Sequence, residues 1–272
     1  GNVLIVTLEG ISWLHLASLL EQPPPHSDTY AMEKLAKRLT GAMQVPDFVV
    51  HSHQTIRGLY ALHCGDFSKL SFETPKAVEL QLNPQRASRC LPAILSENHW
   101  QTHFLQGANL QFMNKDQAMP TMGFDQVHGY EWFNTKGEKS FIWGAGDEEF
   151  FQGARRYITA LRKQQQPWLL SLLTVGTHQP FSASEDSVKK HGSRKRAALA
   201  ELDDAVASFL DWLRDSGVLK DTLVILTSDE SQGGAGADWF SSWGFCAVLA
   251  PQAKSFPPVL EGTYGLVDLE VS

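Results

Sequence analysis

The sequence predicts an α/β protein with a mostly parallel central sheet and helices on both faces. Three observations carry that reading. Residues 3–8 (VLIVTL), 168–175 (WLLSLLTV) and 222–227 (TLVILT) are apolar runs of strand length, as expected of strands covered on both sides. Stretches with helical spacing separate them, which implies parallel crossovers rather than hairpins. Each run also gives way to polar residues, Glu9-Gly10, Gly176-Thr177-His178 and Ser228-Asp229-Glu230. The carboxyl ends of parallel strands are where such sheets hold their ligands.

Taken in order, 3–8 is the first strand, and Glu9 stands at its carboxyl end. Residues 11–20 read as a short helix closed by the Pro23-Pro24-Pro25 loop, and 30–39 as a second helix. Phe48-Val49-Val50 reads as a buried strand entering the polar turn at 52–55, after which Ile56, Leu59, Tyr60 and Leu62 have helical spacing. A hydroxyl at such a strand-to-helix turn, Thr55, lies by free N–H groups at the positive end of a helix, a setting that suits phosphate or sulfate. Taken alone, Thr55 reads as an ordinary N-cap.

Residues 66–87 read as loop, 86–97 as helix and 100–105 as a strand. From 113 to 138 the pattern is irregular, with a turn at Met122-Gly123-Phe124-Asp125. FIWGAGDEEFF (141–151) opens a helix reaching about Gln164, its first turn made acidic by Asp147, Glu148 and Glu149, which suits the helix dipole. Pro167 stops it. After the His178 turn comes a basic run, 189–196 (KKHGSRKR), which reads as a solvated loop or as a surface for an anionic substrate or membrane. Ser193 can cap the next helix, whose stripe is Leu202, Val206, Phe209, Leu210 and Leu213, with Gly217 ending it. A fourth strand, 245–250, precedes Pro251.

At 272 residues and 43% hydrophobic, the chain can form one domain with a sizeable core, 1–272. A net charge of −7 argues against a nucleic-acid partner, and no apolar run is long enough to span a bilayer. The abrupt start, Gly1-Asn2 running straight into a strand, suggests a domain of a longer protein. Cys64, Cys90 and Cys246 show no CxxC spacing. A Cys64–Cys90 bridge is possible in an oxidising compartment, but buried thiols are the expected state.

The predicted topology gathers Glu9, Thr55, His178, Asp229 and Glu230 along one sheet edge. Paired carboxylates at the end of a buried strand call for a cation. A metal would activate the Thr55 hydroxyl and neutralise an incoming phosphoryl or sulfuryl group. The hydroxyl would then serve as covalent nucleophile and the histidine as proton donor or substrate ligand.

With these residues in view, NVLIVTLEG resembles the opening strand of the alkaline phosphatase and sulfatase superfamily. TVGTHQPF, WGAGDEEFF and the stretch ending TLVILTSDE are similar, in the right order, to motifs of its lipoteichoic acid synthase and phosphoethanolamine transferase branch. The resemblance implies an alkaline-phosphatase-like fold and one divalent ion (zinc, manganese or magnesium). It makes Glu9, Thr55 and Asp229 metal ligands, Thr55 also the nucleophile, and His178 a pocket residue, with Arg57 and Trp143 as further pocket candidates. Glu230 stands where the family has histidine. As an oxygen donor it shifts preference from zinc towards manganese or magnesium, or marks a site that no longer catalyses. His51 and His53 are candidates to compensate. The formylglycine motif of sulfatases, CxPSR, does not occur.

The expected activity is transfer of phosphoglycerol or phosphoethanolamine from a phospholipid to a glycan or lipid acceptor. The expected place is the periplasmic face of a bacterial inner membrane, with the tether outside this chain. The alternatives are a phosphodiester or sulfate-ester hydrolase, and a degenerate domain that binds a headgroup or partner.

Overall fold

A computed structural model describes residues 1–21, 29–50, 54–67, 84–133, 141–230, 242–251 and 256–270. Its centre is a seven-stranded sheet in the order β2-β8-β7-β1-β6-β4-β5. The strands are β1 (Asn2–Thr7), β2 (Met43–Gln44), β4 (Gln101–Gln106), β5 (Gln126–His128), β6 (Trp168–Leu173), β7 (Thr222–Thr227) and β8 (Cys246–Leu249). The five from β7 to β5 run parallel. β1 lies between β6 and β7, with Ile5 level with Ser171 on one side and Ile225 on the other.

The apolar runs exist because each central strand packs on both faces. Leu4 and Val6, Leu170 and Leu172, and Val224 and Leu226 enter one core. Ile5, Leu169 and Ile225 enter the other, as the two-residue period of a strand requires. The first core is closed by α1 (Glu33–Leu39), α6 (Asp147–Leu161) and α8 (Arg194–Asp215). Among its members are Phe150, Phe151 and the predicted stripe of α8. The second is closed by α2 (Thr55–Cys64), α3 (Leu91–Glu97) and α4 (Lys115–Thr121). Shorter helices are α5 (Tyr130–Phe133) and α7 (Glu185–His191). Ser193 caps α8 by accepting from the Arg196 N–H, as expected.

Several expectations need correction. Phe48-Val49-Val50 does not join the main sheet: β3 (Phe48–Val49) pairs with β9 (Tyr264–Gly265) in a separate two-stranded sheet. The strand expected at 245–250 runs antiparallel to β7, a direction that its apolar composition does not encode. The helix expected over 11–20 is a 3₁₀ segment, Trp13–Leu19, kinked at Leu16. Within the stretch read as irregular lie α4 and α5, while the turn at 122–125 leads into β5, in line with the short strand or loop expected after it. Cys64 and Cys90, expected as thiols, form a disulfide, and Cys246 is free and buried.

Candidate active site

Because β1, β6 and β7 are parallel and nearly in register, their carboxyl ends finish together and three turns converge. The Glu9 backbone is held on both sides: its N–H donates to Thr174 Oγ1 at 3.0 Å, and its carbonyl accepts from Thr177 Oγ1 at 2.6 Å. From the other side, the Gly10 N–H donates to Asp229 Oδ1 at 3.4 Å. The side chains of Glu9, Asp229 and Glu230 each bring a carboxylate oxygen to within 4.8 Å of the others.

Thr55 reaches this cluster from the first turn of α2. Its Oγ1 donates to Glu9 Oε2 at 3.5 Å, and its side chain is buried. It is not the cap, a position held by Gln54. The close approach depends on Gly58, since a Cβ there would lie 2.0 Å from the Asp229 carbonyl oxygen. A glycine inside a helix costs about 1 kcal/mol relative to alanine. Here it lets the helix lie directly on the β7 turn and carry Thr55 inward.

The cluster is short of partners. Glu9 Oε1, Asp229 Oδ2 and Glu230 Oε2 are buried and have no hydrogen-bond partner among the described residues. Burial, reinforced by the neighbouring charges of Asp229 and Glu230, holds the Glu9 carboxyl well above the usual range. Burial raises Asp229, and burial together with Asp229 pushes Glu230 up to about 8. Orphaned, mutually repelling carboxylates under an alcohol fit a hard divalent cation. An all-oxygen donor set suits manganese or magnesium better than zinc.

Facing the cluster is a pocket lined by Glu9, Thr55, Lys115, Trp143, Thr174 and His178, among others. His178 Nδ1 donates to the Gln179 carbonyl at 2.8 Å, which in the neutral ring leaves Nε2 free to take up a proton. The Trp143 indole N–H donates to the same carbonyl at 2.6 Å, and its ring meets the His178 ring edge-on at 4.8 Å. Glu9, Thr55, Trp143, His178, Asp229 and Glu230 are thus brought together. Arg57 is not among the pocket-lining residues. Two positions on from Thr55 is a turn of about 200° around a helix, towards the opposite face. His51 and His53 lie outside the described residues.

Sequence reasoning missed Lys115. It is 2% exposed, lies over the Phe112 ring at 5.2 Å, and lines the pocket. Burial pushes its ammonium down to about 8, against the pull of Glu9 and Asp229. It is the first residue of α4, where a cation opposes the helix dipole; that mismatch was the available signal.

A doubly covered α/β sheet with an acidic, hydroxyl-bearing carboxyl edge defines an alkaline-phosphatase-like fold. The chain belongs to the sulfatase family, whose model matches residues 1–242. It is 30% identical over 202 residues to phosphoglycerol transferase I of Salmonella paratyphi B and of Salmonella typhimurium. That match takes in 69% of this chain but 25% of those proteins, so the chain spans about a quarter of the curated relatives' length. In fold it is similar to the lipoteichoic acid synthase LtaP of Listeria monocytogenes, with TM-score 0.77 and 17% identity over 99% of this chain and 70% of that one. An alkaline phosphatase superfamily protein of Vibrio parahaemolyticus gives TM-score 0.77 and 18% identity over 99% and 64%.

Proposed function

We propose that this chain is the catalytic domain, 1–272, of a metal-dependent phosphotransferase. It would move a phosphoglycerol or phosphoethanolamine headgroup from a phospholipid to a glycan or lipid acceptor through phospho-Thr55. The observation that carries this reading is the Thr55 hydroxyl at the N-terminus of α2, 3.5 Å from a buried carboxylate in a cluster with three orphaned oxygens. Sequence similarity to phosphoglycerol transferase I supports the choice of headgroup. The Cys64–Cys90 disulfide supports an oxidising, extracytoplasmic location. No helix among the described residues is long and apolar enough to cross a membrane.

Glu9, Asp229, Glu230 and Thr55 would hold the divalent ion, which would lower the hydroxyl pKa and offset phosphoryl charge. In the first half-reaction an Oγ–P bond forms as the P–O bond to the diacylglycerol breaks, and the threonine proton ends on the departing alkoxide. In the second, an acceptor hydroxyl attacks phosphorus, the Oγ–P bond breaks, and the proton of that hydroxyl returns to Thr55. His178 would carry the proton, and Lys115 and Trp143 would bind the phosphoryl oxygens and headgroup.

Glu230 favours a second reading. A third, half-buried carboxylate in place of histidine adds repulsion to an anionic donor, and a headgroup-binding domain without turnover would tolerate that. Thr55→Ala decides between them. Loss of turnover on the order of 10⁶-fold, the scale seen for removal of a covalent nucleophile, with loss of a headgroup adduct on the Thr55 peptide by mass spectrometry, supports transfer. Adduct and turnover undiminished in Thr55→Ala would exclude the threonine. Headgroup binding without turnover in the unmodified chain would favour the binding domain.

A further inference from the structure

The basic run 189–196 is absorbed by neither the fold nor the chemistry above. β6 and β7 are both parallel to β1, so the intervening segment must return from the carboxyl edge of the sheet to the amino edge. α8 makes that return, and its first residues lie on the same edge as Thr55 and Glu9. Two hydrogen bonds join them in relay through Ser182 and Ala183. Arg194 donates to the Ala183 carbonyl at 2.9 Å, and the Ser182 N–H donates to the Gly176 carbonyl at 2.8 Å. The corner between α7 and α8 is therefore fastened to the His178 turn.

Lys189, Lys190, Arg194, Lys195 and Arg196 are all exposed there. Glu185 pairs with Arg194, and Asp186 with Lys189 at 3.4 Å. Residues 185–196 still carry net +3 in a chain of net −7. On the same rim Ile142 is 65% exposed, next to the Trp143 that meets His178. A bulky aliphatic side chain at the mouth of a polar site, beside a cationic corner on an acidic protein, is the composition that bilayer interfaces recruit.

The geometry points to a docking surface: the carboxyl edge seats on an anionic phospholipid bilayer, the α7–α8 corner meeting the headgroups and Ile142 dipping beneath them. This rests on the transferase reading for its purpose, since a lipid donor must be drawn from a membrane. Each Lys or Arg near an anionic surface strengthens partitioning about fivefold.

The test is flotation of the chain with phosphatidylglycerol–phosphatidylcholine vesicles and with phosphatidylcholine vesicles. Selective binding to the anionic vesicles is expected, weakening with salt. Lys190→Glu/Lys195→Glu, confined to exposed side chains, changes the charge by four units and should lower it by roughly several hundredfold with unchanged circular dichroism, and Ile142→Ser several-fold. Equal binding to both vesicles, or full binding by the charge-reversed variant, overturns the surface. Retention on dextran sulfate without vesicle binding also overturns it and gives the corner to a soluble polyanion. Turnover of short-chain, monomeric phosphatidylglycerol separates the two ideas, because the charge-reversed variant should keep it. Charge-dependent vesicle binding without turnover sinks the chemistry alone; turnover without vesicle binding sinks the surface alone.

Discussion

Asp203 and Asp229 are both aspartates with almost no exposure, 1% and 0%, and the structure treats them oppositely. Asp203, on α8, accepts from the Leu35 N–H at 2.7 Å and the Lys34 N–H at 3.2 Å, supplying the free donors at the start of α1. Asp229, at the end of β7, accepts from the Gly10 N–H at 3.4 Å, and its Oδ2 has no hydrogen-bond partner among the described residues. Burial alone therefore identifies nothing. A buried carboxylate whose lone pairs are filled by backbone is a structural fastening, whereas one left open beside two more carboxylates is a candidate socket for a cation.

Asp147 lies between these cases and gives the largest expected effect. It accepts from the Gly176 N–H at 3.1 Å, so it fastens the His178 turn, yet burial pushes its carboxyl up to about 7. The unfolded chain releases this proton near pH 4, the folded chain only near 7. Its contribution to stability is full below pH 4 and is lost as the pH rises to 7. Between pH 5 and 8 the unmodified chain should lose about 3 kcal/mol relative to Asp147→Asn, read from urea unfolding at both pH values. A difference that does not change with pH would mean that the folded chain gives up the Asp147 proton as readily as the unfolded one.

Asp203→Ala should cost about 2 kcal/mol by urea unfolding, since it strands N–H groups at a buried helix start. The loss should be the same with or without added metal. A loss that manganese alters would mean that α1 is coupled to the acidic edge, and the contrast would fail.

How much of this was legible follows from the same physics. Glu9, His178 and Asp229 could be found because central parallel strands are apolar on both faces, and their ends stand out as abrupt polar residues. The α8 stripe and its Ser193 cap are local patterns, legible for the same reason. Lys115 was hidden because α4 lies in a stretch whose pattern reads as irregular, so no helix start was in view against which its charge would stand out. The role of Gly58 was hidden because it depends on a carbonyl 171 positions away in the chain. β8 could not be oriented because its four residues, CAVL, suit either direction. The disulfide depends on the meeting of α2 with the start of α3, a tertiary contact that spacing between cysteines does not reveal.

The smallest effect bears most directly on the socket. In chelator, Asp229→Asn should hold or gain about 1 kcal/mol, because it removes one of the charges that raise Glu9 and Glu230. A divalent ion that binds only the folded state stabilises it by mass action, so manganese should raise the unfolding midpoint of the unmodified chain and leave that of Asp229→Asn unmoved. The sign in chelator is the sharper half of the test. A fastening loses stability when its carboxylate is altered, as Asp203 should; a socket emptied of its ion does not. If Asp229→Asn is destabilised by as much as Asp203→Ala, its oxygens are already satisfied, and the acidic edge is structural after all.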